Sequence, residues 1–189
     1  MRLKLQKVSR LFLIRHGESK KNIAEQGGPF YLNNEHRERV GILQDRLIPL
    51  TERGLRQAEA LGKRFRKAFG VPDYVFHSGY ERTKQTTATF LRAYKDVERT
   101  KMRVLEDHKI RERNPGPLSN FTYEEVMEYF PWWVSAWDVA DPFTVVPISG
   151  ESIASMCEGR IRIFLKELDE NLPGVAERHT VAVVSHGRA

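Results

Sequence analysis

Two short apolar runs near opposite ends of the chain constrain its fold most. Residues 11–14 and 181–184 hold only aliphatic and aromatic side chains, and each run is followed closely by a His-Gly pair, His16-Gly17 and His186-Gly187. Runs this short without polar alternation suit strands covered on both faces of a sheet. Between them the pattern changes to helical spacing. Leu55, Ala58, Leu61, Phe65 and Ala68 line one side of a helix predicted over 53–69, with Lys63, Arg64, Arg66 and Lys67 on the other. Ile153, Met156, Cys157, Ile161, Phe164, Leu165 and Leu168 follow the i, i+3, i+4 rule over 151–171. Strands at 8–14, 73–77, 102–105 and 180–185, a helix at 80–94, an irregular stretch to about 121 and short helices between 122 and 140 complete the reading. Such alternation predicts an α/β fold, a three-layer α/β/α sandwich around a mostly parallel sheet, in one domain over 1–189. Ligands of such sheets bind beyond the carboxyl ends of the strands, which is where both His-Gly pairs fall.

Composition narrows the function classes. No apolar run approaches the ~20 residues that span a bilayer, which argues against a membrane partner. The first residues lack a small-residue cleavage site and lead straight into Arg15 and His16, so they read as a strand rather than a secretion signal. A single cysteine, Cys157, excludes an internal disulfide and a cysteine-based zinc site, and the expected location is cytoplasmic. The net charge of +6 admits nucleic acid, acidic surfaces or anionic substrates as partners.

Three clusters carry chemistry. Arg15-His16-Gly17-Glu18-Ser19 follows the first strand, Ser78-Gly79-Tyr80-Glu81-Arg82 the second, and Ser185-His186-Gly187 the last. A parallel sheet would bring two histidines and two arginines into one crevice, with the glycines letting backbone N–H groups approach an anion. Neutral imidazole is a good nucleophile, and Arg15 and Arg82 would lower its pKa further by like-charge repulsion. Their guanidiniums match phosphate oxygens and would stabilise a transition state with charge on three equatorial oxygens. His36, His77, His108 and His179 have no such context. The C-x5-R pattern of cysteine phosphatases, the P-loop and the H-E-x-x-H motif are all absent. No cluster has metal-ligand spacing along the chain, so neither metal nor cofactor is expected.

At these residues the chain resembles the histidine phosphatase superfamily, which includes the phosphoglycerate mutases. The resemblance rests on LIRHGES at 13–19, PLTERGLRQAEALG at 49–62, SGYERTKQTT at 78–87, GES at 150–152 and VVSHG at 183–187. It implies a phosphomonoester hydrolase acting through a phosphohistidine on a small-molecule or peptide substrate. His16 would be the nucleophile. Arg15, Arg82 and His186 would complete the phosphate pocket, with Asn22 and the Gly187 amide as further contacts. The pattern Arg111-Glu112-Arg113-Asn114-Pro115-Gly116 would make Glu112 the acid and base, with Glu106 and Asp107 next in line.

The chain departs from that family in two cap insertions, at about 23–48 and 114–150, and in its end, only three residues past His186, where a helix covering the sheet is expected and missing. Residues 114–159 hold no lysine or arginine, but seven acidic residues and aromatics that include Tyr123, Tyr129, Phe130, Trp132, Trp133, Trp137 and Phe143. They read either as a small core of the cap or as a wall for apolar aryl leaving groups. Under such a cap a second anion would lose water without gaining a partner. A phosphoglycerate-type mutase and a nucleic-acid-binding module are the alternatives. The intact set of His16, Arg82, Glu112 and His186 argues against the second.

Overall fold

A computed structural model describes residues 5–26, 30–41, 43–139, 143–146, 148–174 and 178–187. Its strands are β1 (Val8–Arg15), β2 (Tyr74–His77), β3 (Arg103–Glu106) and β4 (His179–Ser185), all pairing in parallel in the order β1-β4-β2-β3. The last strand of the sequence is therefore interior. Its alternation divides the core: Val181 and Val183 join Tyr74, Phe164, Leu168 and Leu172 in one cluster, while Ala182 and Val184 join Phe65, Val75 and Phe90 in another. Side chains of a strand alternate between faces, so a continuous apolar run feeds both clusters at once. Helices thus lie on both sides of a parallel sheet, as the α/β/α reading required.

The helices begin and end on recognisable chemistry. The 18-residue helix over Glu52–Phe69 starts where the Thr51 hydroxyl accepts from the Gly54 amide, and Gly70 closes it at a positive φ of 80°. The helix at Glu81–Leu91 is shorter than the predicted 80–94, and a separate turn of helix over Asp96–Arg99 follows it. The predicted 151–171 helix begins at Ile153 behind the Ser152 cap, widens into a π turn at Cys157–Ile161 and continues over Arg162–Asn171. Gly159 lies inside that π turn, a position where a regular helix is weakened. The reading of the first strand as covered on both faces fails at one position. β1 is an edge, and Leu13 is 78% exposed. No helix among the described residues is long and apolar enough to cross a membrane.

The two inserted segments pack on each other. A short helix at Lys20–Glu25 runs into the first, which carries a second helix at Asn34–Val40 and a 3₁₀ turn at Asp45–Leu47; the second carries a 3₁₀ stretch at Gly116–Asn120 and helices at Tyr123–Tyr129 and Pro131–Val139. Tyr31 donates its amide to Phe121 O (3.2 Å) and accepts from Tyr123 N (3.1 Å), and Arg37 pairs with Glu125 at 2.8 Å. Phe30 from the first segment shares a buried cluster with Leu118, Val126 and Trp133 from the second. Trp133 is therefore core, while Tyr123, Tyr129 and Trp132 are more than half exposed. Trp137 has its side chain outside the described residues.

Candidate active site

The register of β1 against β4 sets Arg15 beside Ser185, and the His16 amide donates to Ser185 O at 2.9 Å. That single bond carries the parallel pairing one residue past the strands and brings the two histidine rings to a centroid distance of 5.1 Å, near edge to face. Both are buried. His16 Nδ1 lies 2.7 Å from the Gly17 carbonyl. A carbonyl can only accept, so Nδ1 carries the proton and Nε2 of the neutral ring keeps its lone pair. Burial, more than the neighbouring Arg82 and Arg15, pulls the His16 pKa down to about 4. At neutral pH the ring is therefore an uncharged base with one free nitrogen.

His186 presents its Nε2 to Ser78 Oγ at 2.7 Å, and Ser78 also contacts Thr83 Oγ1 at 3.0 Å. Its Nδ1 edge has no hydrogen-bond partner and faces Glu112 Oε2 at 3.8 Å. Burial and then Arg82 push the His186 pKa far below its ordinary value. Tyr80 lies against the His186 ring at 4.9 Å between centroids and under the Arg82 guanidinium at 4.7 Å. Ser78 and Tyr80 belong to the motif at 78–87, but neither received a role from the sequence.

The third cluster contributes Arg82, only 2% exposed, from the first turn of the Glu81–Leu91 helix. Arg15 is exposed, has no ion pair among the described residues and packs its guanidinium against Gly187. Asn22 lines a cavity of about 320 Å³ with Arg15, His16, Glu18 and Gln57. Its Oδ1 accepts from the Ser19 amide and hydroxyl at 3.0 and 2.9 Å in a capping box, so its NH₂ is the end left to meet a ligand. Gly17 requires a correction. Its amide donates to Thr86 Oγ1 at 3.1 Å, and a Cβ there would meet Gly54 O at 2.4 Å. The glycine serves close packing against the start of the Glu52–Phe69 helix rather than the approach of an anion.

Glu112 is the carboxylate at the histidines, and the runners-up are committed elsewhere. Glu106 faces Lys84, His77 and His108 at 3.4–3.8 Å, and Asp107 caps the turn at His108–Ile110. Glu112 is held from both sides by its neighbours. Glu151 pairs with Arg111 at 3.0 Å and Arg160 at 2.9 Å and accepts from the Asn114 amide at 2.9 Å, while its carbonyl receives Arg113 at 3.0 Å. The sequence had marked Glu151 only as part of the GES motif. Folding also brings His16, Glu112 and His186 close enough to offer three metal-ligand atoms within 4.8 Å, which the linear spacing had not suggested. Two guanidiniums beside the same atoms oppose a divalent cation and favour an oxyanion.

A second cavity, of about 900 Å³, opens between the two inserted segments, bounded by Tyr31, Arg37, Glu38, Asp45, Asn114, Ser119 and Asn120 among others. Among the described residues, no aromatic side chain of 114–150 lines it. Arg37 does reach the wall, from the first segment, but its guanidinium is taken by Glu125.

Residues 11–189 match the histidine phosphatase superfamily, branch 1, and the chain belongs to that family. It is 33% identical over 181 residues to phosphoserine phosphatase 1 of Hydrogenobacter thermophilus, covering 94% of this chain and 70% of that protein. It is 26% identical over 141 residues to the 2,3-bisphosphoglycerate-dependent phosphoglycerate mutase of Bartonella henselae, covering 74% of this chain and 65% of that one. Among solved structures it is similar to the α-ribazole phosphatase of Shigella flexneri, with a TM-score of 0.67, 25% identity, and coverage of 94% and 73% of the two chains.

Proposed function

We propose that this chain hydrolyses phosphomonoesters through a phosphohistidine at His16. The observation that carries the reading is a buried, neutral His16 whose tautomer is fixed by Gly17 O, leaving Nε2 as the nucleophile between Arg15 and Arg82. In the first half-reaction Nε2 attacks phosphorus, the P–O bond to the alcohol breaks, and Glu112 in its acid form gives the leaving oxygen its proton. In the second, the Glu112 carboxylate takes a proton from water, hydroxide attacks phosphorus, and the P–N bond breaks to return neutral His16 and inorganic phosphate. Arg15, Arg82 and the Asn22 NH₂ group neutralise the phosphoryl oxygens. Thr83 gives its hydroxyl proton to Tyr80 O and takes that of Ser78, so Ser78 Oγ accepts from His186 Nε2–H, and His186 Nδ1 becomes a donor to the phosphoryl group when the ring is protonated. The Gly187 amide is the remaining candidate contact.

The similarity to phosphoserine phosphatase 1 supports hydrolysis of a small phosphorylated substrate. Against a bisphosphate mutase stands the larger cavity, whose basic wall residue, Arg37, is already engaged by Glu125. Glu112→Gln tests the proton transfers. It should slow alkyl phosphates by roughly 10²–10⁴-fold and affect release of an activated aryl leaving group much less. Equal losses for both substrate types would place the acid elsewhere.

A further inference from the structure

The phosphate pocket described above already contains an anion. Asp45, in the first inserted segment, accepts from Arg82 Nη1 through its backbone carbonyl at 2.7 Å, and its carboxylate reaches the two terminal nitrogens of Arg82 at 3.4 and 3.3 Å. The same carboxylate takes a shorter bond, 2.9 Å, from Lys21 Nζ. Lys21 sits one residue before Asn22 on the short helix that follows His16, with only 13% of its side chain exposed. Burial alone would favour a neutral lysine, but Asp45 and then Glu25, 3.6 Å away, hold it charged. The positive charge of Lys21 also reaches His186. Two buried cations thus share one carboxylate beside the histidines.

A phosphate dianion on Arg82 would stand within a few ångströms of that carboxylate. Repulsion between unit charges 4 Å apart in such surroundings amounts to about three orders of magnitude in affinity. The Asp45–Arg82 carboxylate contacts are long, whereas the backbone bond to Arg82 is short, so the side chain can rotate off without loss of the backbone anchor. We propose that Asp45 is the resting occupant of the phosphate site and that Lys21 is a further phosphate-binding residue, uncovered when phosphate exchanges for the Asp45 carboxylate across Arg82 and Lys21. Because Asp45 also bounds the larger cavity, this exchange links phosphate binding to the wall of that cavity. The proposal rests on the phosphatase reading, since it takes Arg82 as a phosphate ligand.

The test is the equilibrium affinity of the whole chain for inorganic phosphate, measured by calorimetry at pH 7.5, where no turnover is needed. Asp45→Asn keeps the shape and the backbone carbonyl. It should tighten phosphate by at least tenfold, with thermal melting used to verify folding. The double variant Asp45→Asn, Lys21→Met, in which position 45 carries no carboxylate to be stranded by the lost lysine, should bind at least tenfold more weakly than Asp45→Asn alone, and a Lys21→Gln version should do the same. Unchanged or weaker binding by Asp45→Asn would overturn the occupant role and make Asp45 a positioning residue for Arg82. Equal affinity of the single and double variants would remove Lys21 from the phosphate site. Failure of every variant to bind phosphate would overturn both this inference and the phosphatase reading, whereas a failed His16 phosphorylation with intact phosphate binding would overturn the latter's chemistry alone.

Discussion

The ends of β1 and β4 and the two inserted segments are built on different principles. At the strand ends, position follows from backbone register: once Arg15 pairs with Ser185, His16 and His186 have nowhere else to be. Their rings are fixed by short hydrogen bonds to Gly17 O and Ser78 Oγ, and both are buried. In the inserted segments and at their borders, position follows from side-chain ion pairs: Arg37 with Glu125 between the segments, Lys21 and Arg82 with Asp45, and Arg111 and Arg160 with Glu151 just outside the second. The first region holds the reacting atoms. The second borders the larger cavity, and on the proposed reading its charged groups can exchange partners. A scaffold that fixes chemistry by register and access by ion pairs can change substrates without changing its reaction.

Acid should break the first region before the second. The folded His16 takes up a proton only near pH 4, whereas an unfolded chain takes it up near 6.5. Between those values the unfolded state binds more protons, so stability falls as pH drops through the window, by about 3 kcal/mol for this one ring by pH 4. His186, lowered in the same direction, adds to the loss. Carboxylates with lowered pKa, such as Asp45 and Glu151, contribute chiefly below pH 4.5. Denaturant unfolding at pH 6.5 and 4.5 should therefore show a clear loss, reduced in His16→Gln. A flat profile would mean that the two rings are not buried as neutral bases.

Glu151→Gln sharpens the contrast from the other side. It leaves the register of β1 and β4 intact but loosens the clamp of Arg111, Arg160 and the Asn114 amide that holds the segment bearing Glu112. Misplacement of a catalytic group by about 1 Å can cost on the order of 10²-fold in rate. The loss should fall on alkyl phosphates and spare activated aryl phosphates, the same signature as Glu112→Gln. A uniform loss in kcat/KM over both substrates would show that Glu151 supports the fold instead. The smallest effect is expected at Trp132, 60% exposed and absent from the cavity walls. Trp132→Ala should leave kcat/KM for phenyl phosphate within about twofold and stability within roughly 0.5 kcal/mol, as for surface substitutions generally. A large loss on aryl substrates would restore the aromatic wall that the sequence suggested.

What could be read from the sequence follows the same division. The apolar runs 11–14 and 181–184 with their His-Gly endings announced both the parallel sheet and the meeting of His16 with His186, because strand register is a local property. The apolar stripe of the Glu52–Phe69 helix was equally legible. Asp45 and Lys21 were not, because a charged residue on a surface segment gives no sign of the partner 24 or 37 positions away that it will find. Gly17 was seen but misread, since its reason is the backbone of Gly54 rather than a ligand. The aromatics of 114–150 gave composition without direction: Trp133 turned inward to Phe30, and Trp132 outward.

The most direct measurement of the account is the site of covalent phosphorylation. The chain is mixed with a ³²P-labelled monoester, quenched within one turnover in alkaline denaturant, digested and mapped. The account predicts an acid-labile, alkali-stable phosphoryl group on the peptide that carries His16, absent from His16→Ala and persisting longer in Glu112→Gln, where water is activated more slowly. Label on another residue, or hydrolysis by His16→Ala at the wild-type rate, would contradict it.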